Sequence, residues 1–186
     1  MKTNIYFVRH AQPDFSIKDD ALRPLTEKGM LDTALVTKAL QDKNISAIYS
    51  SPFKRAYDTI KNLAEVLDLR IDIVDDFRER KIDNIWVEDF KAFSRKQWED
   101  FNFRLKNGEC LRKVQERNMT ALNEILESNL GKSIAVGTHG TALSTIINYY
   151  NPEFGYDHFV GIADKMPYII CFTFEGTEFI GMEEVG

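Results

Sequence analysis

The chain has 186 residues, a length that suits one domain with a substantial core, and we expect a single domain over residues 1–186. Its 24 Lys and Arg against 29 Asp and Glu give a formal net charge of -5, which argues against a nucleic-acid partner because phosphate backbones recruit strongly basic faces. No apolar run approaches the length of a membrane span and charges occur throughout the first thirty residues, so we expect a cytoplasmic protein without a membrane partner.

The first predicted unit is a strand, a loop and a helix. Residues 5–8 form a continuous apolar run, which is typical of a strand buried on both faces. A helix is predicted to begin near Thr26 and to pack on this strand through an apolar stripe. The predicted stripe consists of Leu31, Ala34, Leu35 and Ala39.

The same unit then repeats. Residues 47–49 predict a second strand, and a second helix is predicted to start with Ser51 as its N-cap and Pro52 as its first residue. Residues 71–74 predict a third short strand. The repeat of strand, helix and strand indicates parallel pairing of the strands.

The second half of the chain completes the pattern. Residues 79–130 are predicted to be helical, in two amphipathic segments separated at Gly108. A fourth strand over residues 134–136 leads into another helix, and residues 168–180 predict a strand and a terminal hairpin. The predicted fold class is therefore α/β, a three-layer α/β/α sandwich with a mainly parallel central sheet.

Charged and proton-carrying residues follow the predicted strands. In order along the chain they are Arg9, His10, Arg55, Glu79 and His139, and Gly140 follows His139 at the start of a predicted helix. Because the carboxyl ends of parallel strands meet at one edge of a sheet, we expect these residues to gather there. Two imidazoles, two guanidiniums and a helix N-terminus form an oxyanion clamp, so the sequence predicts a phosphate site that needs no metal and no cofactor.

Four motifs, taken in this order, resemble the histidine phosphatase, or phosphoglycerate mutase-like, superfamily. They are Arg9-His10-Ala11, Ser50-Ser51-Pro52 with Arg55, Phe77-Arg78-Glu79 and Thr138-His139-Gly140. The resemblance implies a phosphoglycerate mutase-like fold and a phosphohistidine mechanism in which His10 attacks phosphorus. It further implies that Arg9, Arg55 and His139 stabilise the phosphoryl oxygens, and that Glu79 protonates the departing alkoxide.

Three positions in the sequence can each be interpreted in two ways. The glycine that usually follows the acid in this family is missing, so Glu88 or Asp89 stays an alternative to Glu79 as the acid. Ser50 either donates to phosphate or only ends its strand. Cys110 is either a redox-sensitive thiol at a helix start or an inert small residue, and the second interpretation is favoured.

These observations together predict a metal-independent phosphatase that acts on a small phosphorylated metabolite. The alternatives are a phosphoglycerate mutase-type phosphotransferase and a non-catalytic sensor of phosphate esters. Residues 13–16 stand where mutases of the family carry an asparagine-containing segment, which favours the phosphatase. The physiological substrate and the oligomeric state stay open, and substrate specificity is assigned to residues 86–110.

Overall fold

A computed structural model describes residues 1–185 and places a six-stranded mixed sheet at the centre of the molecule. The strands are β1 (Lys2–Arg9), β2 (Ile45–Ser50), β3 (Ile71–Ile73), β4 (Ser133–Thr138), β5 (Tyr168–Glu175) and β6 (Glu178–Glu184). Their order across the sheet is β3-β2-β4-β1-β5-β6. The first four strands pair in parallel, whereas β5 and β6 run antiparallel, so the prediction of a mainly parallel sheet is confirmed.

Helices cover both faces of the sheet. They are α1 (Glu27–Leu40), α2 (Lys54–Leu67), α3 (Phe90–Glu99), α4 (Leu111–Ser128), α5 (Gly140–Tyr150) and α6 (Tyr156–Gly161). Apolar residues of α1 and α2 pack in one core cluster with the sheet, and those of α4 and α5 pack in a second. The predicted three-layer α/β/α sandwich is therefore confirmed.

The central strand β1 shows why the sheet is buried on both sides. Ile5 and Phe7 belong to the cluster under α4 and α5, whereas Tyr6 and Val8 belong to the cluster under α1 and α2. Successive side chains of a strand point to opposite faces, so a strand between two helix layers needs apolar residues at every position.

Within residues 1–185, no helix combines the length and the apolar composition that crossing a lipid bilayer requires.

The predicted buried face of α1 is wrong at three of its four residues, since only Ala39 packs against the core. Leu31 and Leu35 are 77% and 57% exposed, and Ala34 is exposed as well. The helix instead buries a face that includes Thr33, Val36, Thr37 and Leu40. Thr33 and Thr37 are buried in this face, and the Thr37 hydroxyl donates to Asn62 Oδ1 at 2.7 Å, so residues of polar type concealed the face that packs.

Two further boundaries differ from the prediction. Helix α2 begins at Lys54 with Phe53 as its N-cap, whereas the Ser51 hydroxyl contacts the Phe53 amide and His139 Nε2 ahead of the helix. The middle of the chain is not continuously helical, since residues 78–89 and 100–110 are irregular. Their backbones meet where Gly108 lies so close to the Ile82 carbonyl oxygen that an added Cβ would stand 2.0 Å from it, so only glycine fits there.

Candidate active site

The predicted site residues gather at the carboxyl edge of the parallel strands. Arg9 ends β1 and His10 follows it, Arg55 lies in the first turn of α2, and Gly140 begins α5. Together with Glu79 these residues line the inner end of a cavity of about 890 Å³. His139, the N-cap of α5, lies behind His10 with ring centroids 5.2 Å apart and is fully buried outside the cavity lining.

His10 is held as a neutral imidazole with one defined tautomer. Its Nδ1 lies 2.8 Å from the Ala11 carbonyl oxygen, which can only accept, so the proton resides on Nδ1. Nε2 therefore carries the lone pair. Burial first, and then the positive charge of Arg55, lower the pKa of His10 well below its usual value.

Arg55 brings its charge directly to His10. Its Nε donates to His10 Nε2 at 3.2 Å, and its other nitrogens bind the Asp20 backbone carbonyl and the Asp20 carboxylate. The same carboxylate accepts from Arg23 at 2.7 Å. Burial lowers the pKa of Arg55, while the charge of Asp20 opposes that change. The loop after β1 thus orients Arg55 through Asp20, a residue that the sequence did not single out.

Arg9 packs against the start of α5. An added Cβ at Gly140 would lie 3.1 Å from Arg9 Nε, so glycine allows the guanidinium to approach the helix N-terminus. One terminal nitrogen of Arg9 donates to the Ile162 carbonyl at 2.6 Å, just beyond α6. Arg9 Nε is buried and has no hydrogen-bond partner within residues 1–185, and burial lowers the pKa of this side chain.

Ser51 fixes the tautomer of His139. The Ser51 oxygen lies 2.7 Å from His139 Nε2 and accepts from the Phe53 amide at 3.2 Å. Within residues 1–185 the Ser51 oxygen has no third hydrogen-bond partner, so its own proton finds an acceptor only if Nε2 is unprotonated, which places the imidazole proton on Nδ1. That Nδ1 is buried and unpartnered among the described residues, and burial lowers the pKa of His139 well below its usual value. A buried N–H donor without a partner is suited to an anion.

Glu79 is tied to the first turn of α5. Its carboxylate accepts from the backbone amides of Thr141 at 2.9 Å and Ala142 at 3.2 Å, and from that of Arg80 at 2.8 Å. A helix N-terminus attracts negative charge, so this contact positions the carboxylate beside Arg9 and Gly140. Glu79 lines the cavity, whereas neither Glu88 nor Asp89 does.

Arg80 anchors the segment that carries Glu79. The residue is 2% exposed, and its guanidinium donates to Gln97 Oε1 at 2.6 Å and to Ser94 Oγ at 3.2 Å, both on α3. Burial lowers the pKa of Arg80 to about 10, although the charges of Glu79 and Asp20 act in the opposite direction. Sequence reasoning missed this residue, because nothing in its neighbourhood along the chain marks it as buried.

An ion pair between Glu109 and Arg117 supports the same segment from the other side. Arg117 donates to both carboxylate oxygens, at 2.9 and 3.1 Å, and also to the carbonyls of Asp76 and Arg78. Glu109 in turn accepts from the Lys81 amide at 2.9 Å. Burial opposes ionisation of Glu109, but these hydrogen bonds and charges outweigh it and lower its pKa.

The remaining candidates lie outside the cavity lining. Asp89 caps α3 by accepting from the Ala92 amide at 2.9 Å, and Glu88 is exposed. Cys110 is buried beside the start of α4, and the Ser50 hydroxyl donates to the Ser51 carbonyl at 2.9 Å. In residues 1–185, no group of three or more His, Cys, Asp and Glu side chains has the arrangement of a metal site.

Comparison with known proteins gives a consistent set of similarities. The histidine phosphatase superfamily (branch 1) matches residues 5–176. A metal-independent phosphoserine phosphatase of Arabidopsis thaliana is 27% identical over 164 residues, which cover 77% of this chain and 67% of that protein. A probable phosphoglycerate mutase, GpmB, of Yersinia pestis is 26% identical over 156 residues, covering 77% and 73%. The solved structure of Bacillus stearothermophilus YhfR matches with a TM-score of 0.81 at 23% identity, over 96% of this chain and 94% of that one.

Proposed function

Since this chain belongs to the histidine phosphatase superfamily (branch 1), we propose that it is a metal-independent phosphatase that hydrolyses a small phosphorylated metabolite through a phosphohistidine on His10. Arg9, Arg55, His139 and the Gly140 amide hold the phosphoryl group, and Glu79 is the general acid. The named activity of the Arabidopsis relative, a metal-independent phosphoserine phosphatase, supports this assignment.

The proposal rests on the protonation state and the tautomer of the His10 imidazole. A histidine nucleophile must be neutral and must present a free lone pair to phosphorus. The contact between Nδ1 and the Ala11 carbonyl leaves that lone pair on Nε2, where it accepts from Arg55 Nε at 3.2 Å until phosphorus takes the place of this hydrogen bond. The guanidinium is therefore within reach of an oxygen on the phosphorus that Nε2 attacks.

The proposed reaction has two steps. In the first, Nε2 of His10 forms a bond to phosphorus as the bond from phosphorus to the alcohol oxygen breaks, and Glu79 donates a proton to that oxygen. In the second, water attacks the phosphohistidine, Glu79 takes up a proton from this water, and His10 leaves with its lone pair restored. Arg9 and Arg55 stabilise the charge on the equatorial oxygens throughout.

The proposal is tested by turnover of p-nitrophenyl phosphate with and without a chelator. We expect equal rates in both conditions, and a loss of activity with EDTA would overturn the metal-independent mechanism. His10→Ala should lower kcat at least about 10³-fold and abolish acid-labile labelling of the protein by radioactive phosphate ester. His158→Ala is the matched control, because His158 is exposed on α6 and makes none of these contacts.

A phosphotransferase of the mutase type is the second candidate, because the Yersinia pestis relative carries that name. A mutase must shield its phosphoenzyme from water and return the phosphoryl group to a second hydroxyl. Incubation with 3-phosphoglycerate separates the two functions. Release of inorganic phosphate supports the phosphatase, whereas isomerisation to 2-phosphoglycerate without release supports the mutase.

A further inference from the structure

The cavity above His10 is much larger than a phosphoryl group requires. Its volume of about 890 Å³ lies in the range of roughly 300–1,000 Å³ that encloses drug-sized ligands. His10, Arg55 and Glu79 occupy only its inner end. The alcohol part of an ester bound at His10 extends through the remaining space, so the outer wall decides which alcohols are favoured.

That outer wall is mostly apolar. The irregular segment after Glu79 contributes Ile82, Ile85 and Phe90, and the region of α6 contributes Val160 and Met166 from a different part of the chain. Two buried cations of the wall are already paired, since Arg80 donates to Gln97 and Ser94 and Arg23 donates to Asp20. The other charged side chains of this wall are exposed or half-buried, so they belong to the mouth of the cavity rather than to its interior; they are Lys18, Lys81, Asp83, Lys91 and Asp164.

Large hydrophobic side chains are exposed at the mouth of this cavity. Ile85 is 74% exposed, Phe15 is 55% exposed and Trp86 is 51% exposed, and all three line the cavity. The chain's other tryptophan, Trp98, is buried in the core. Exposed apolar side chains that are concentrated around one opening mark a binding surface, since scattered ones would need no explanation.

The indole of Trp86 is held in place across this opening. Lys18, from the loop after β1, places its Nζ 3.7 Å from the ring centroid, and the Arg23 guanidinium lies 5.9 Å from it. Both contacts are cation–π interactions, which fix the ring against the loop. The loop that orients Arg55 and the segment that carries Glu79 thus meet through Trp86.

We infer that the substrate is a phosphate monoester of an alcohol with a bulky apolar body, which packs against Trp86 and the apolar wall. This inference rests on the proposed function and narrows its substrate class. Short alcohols that carry charges, such as those of phosphoserine and 3-phosphoglycerate, gain nothing from this wall. A hydrophobic alcohol removes from water the apolar surface that the open cavity exposes.

Binding of n-alkylphosphonates, measured by calorimetry, tests the inference without any need for turnover. Each methylene that enters an apolar site strengthens binding by about fourfold. We therefore expect the Kd to fall at least tenfold from ethylphosphonate to hexylphosphonate. Dissociation constants that agree within twofold across the series would overturn the inference.

Two variants test which residues cause the dependence of Kd on alkyl chain length. Trp86→Ala should reduce the dependence of Kd on chain length, whereas Leu31→Ala should keep it, because Leu31 is 77% exposed on α1 and does not line the cavity. Retention of the full dependence in Trp86→Ala would overturn the assignment of the apolar body to this wall. Ethylphosphonate should bind both variants with similar affinity, which shows that the phosphate end is intact.

Hydrolysis of the corresponding alkyl phosphates separates this inference from the proposed function. The alcohols of this series have nearly the same acidity, so differences in rate report binding of the chain. We expect kcat/KM for hexyl phosphate to be at least tenfold that for ethyl phosphate. Hydrolysis without any dependence on chain length overturns the inference alone, whereas chain-dependent phosphonate binding without hydrolysis supports the inference and overturns the phosphatase.

Discussion

Ser51 Oγ and His139 Nε2 lie 2.7 Å apart, in a contact closed to solvent. The Ser51 hydroxyl accepts from the Phe53 amide, and Nε2 is the one acceptor that its proton reaches within residues 1–185, so the proton is directed to Nε2. The contact therefore determines which nitrogen of His139 remains a donor. Ser51 is a positioning residue for the second histidine of the proposed clamp.

Ser51→Ala should lower kcat/KM for p-nitrophenyl phosphate about fivefold, since one hydrogen bond of about 1 kcal/mol is lost. The variant removes the group that fixes the His139 tautomer while leaving the ring in place. Ser50→Ala is the control, because the Ser50 hydroxyl is equally buried but donates only to the Ser51 carbonyl. Equal kinetics for the two variants would contradict the role of Ser51.

Asp20→Asn should lower kcat/KM roughly tenfold, because a small misplacement of Arg55 costs transition-state stabilisation. Asp20 pairs with Arg55 at 3.1 Å and with Arg23 at 2.7 Å, so its charge orients both guanidiniums. Steady-state kinetics on p-nitrophenyl phosphate measure the effect. Asp19→Asn changes the same charge one residue earlier but keeps the acceptor for the Ala21 and Leu22 amides. An equal loss of kcat/KM in the two variants would show that the ion pair between Asp20 and Arg55 is not the cause of the loss.

The family, the fold class and the gathering of the site were accessible from the sequence because they depend on local patterns. A strand buried on both faces must be apolar throughout, as residues 5–8 are, and residues after parallel strands must meet at one edge. That rule brought His10, Arg55 and Glu79 to one cavity without any knowledge of strand order.

The supporting residues were not accessible, since their partners lie far away along the chain. Arg117 contacts the Asp76 carbonyl from a separate helix, and Asp20 reaches Arg55 across a loop. Ser51 was interpreted as a helix cap because its cap chemistry is local, whereas its contact with His139 spans 88 positions of sequence. Contacts of this kind follow from packing, which residue patterns do not encode.

Glu109→Gln should lower the free energy of unfolding by about 2 kcal/mol, because it leaves the mostly buried Arg117 without its opposite charge. The ion pair also holds the backbone before Glu79, so kcat should fall in the same variant. Urea unfolding and steady-state kinetics measure the two effects. Glu116→Gln is the matched control, since Glu116 is an exposed residue of α4, the helix that carries Arg117. A variant as stable as this control would refute the structural role of Glu109.

The two buried histidines predict a loss of stability in mild acid. The pKa values of His10 and His139 are lowered well below 6.5 in the folded protein, because burial disfavours the charged imidazole. Below pH 6.5 the unfolded chain therefore binds protons that the folded chain does not. The free energy of unfolding falls as a result. Each histidine contributes up to about 1.4 kcal/mol per pH unit to this decline, and contributes no decline well above pH 6.5.

Urea unfolding at pH 7.5, 6.5 and 5.5, in buffer free of phosphate, measures this dependence. His139→Gln should remove one of the two contributions, so its stability should fall between pH 6.5 and 5.5 by about 1 kcal/mol less than that of the wild type. His158→Gln should follow the wild type, because His158 is exposed and lies outside the clamp. An unchanged slope in His139→Gln would show that His139 takes up a proton in the folded protein, and the neutral donor assigned to its Nδ1 would then be wrong.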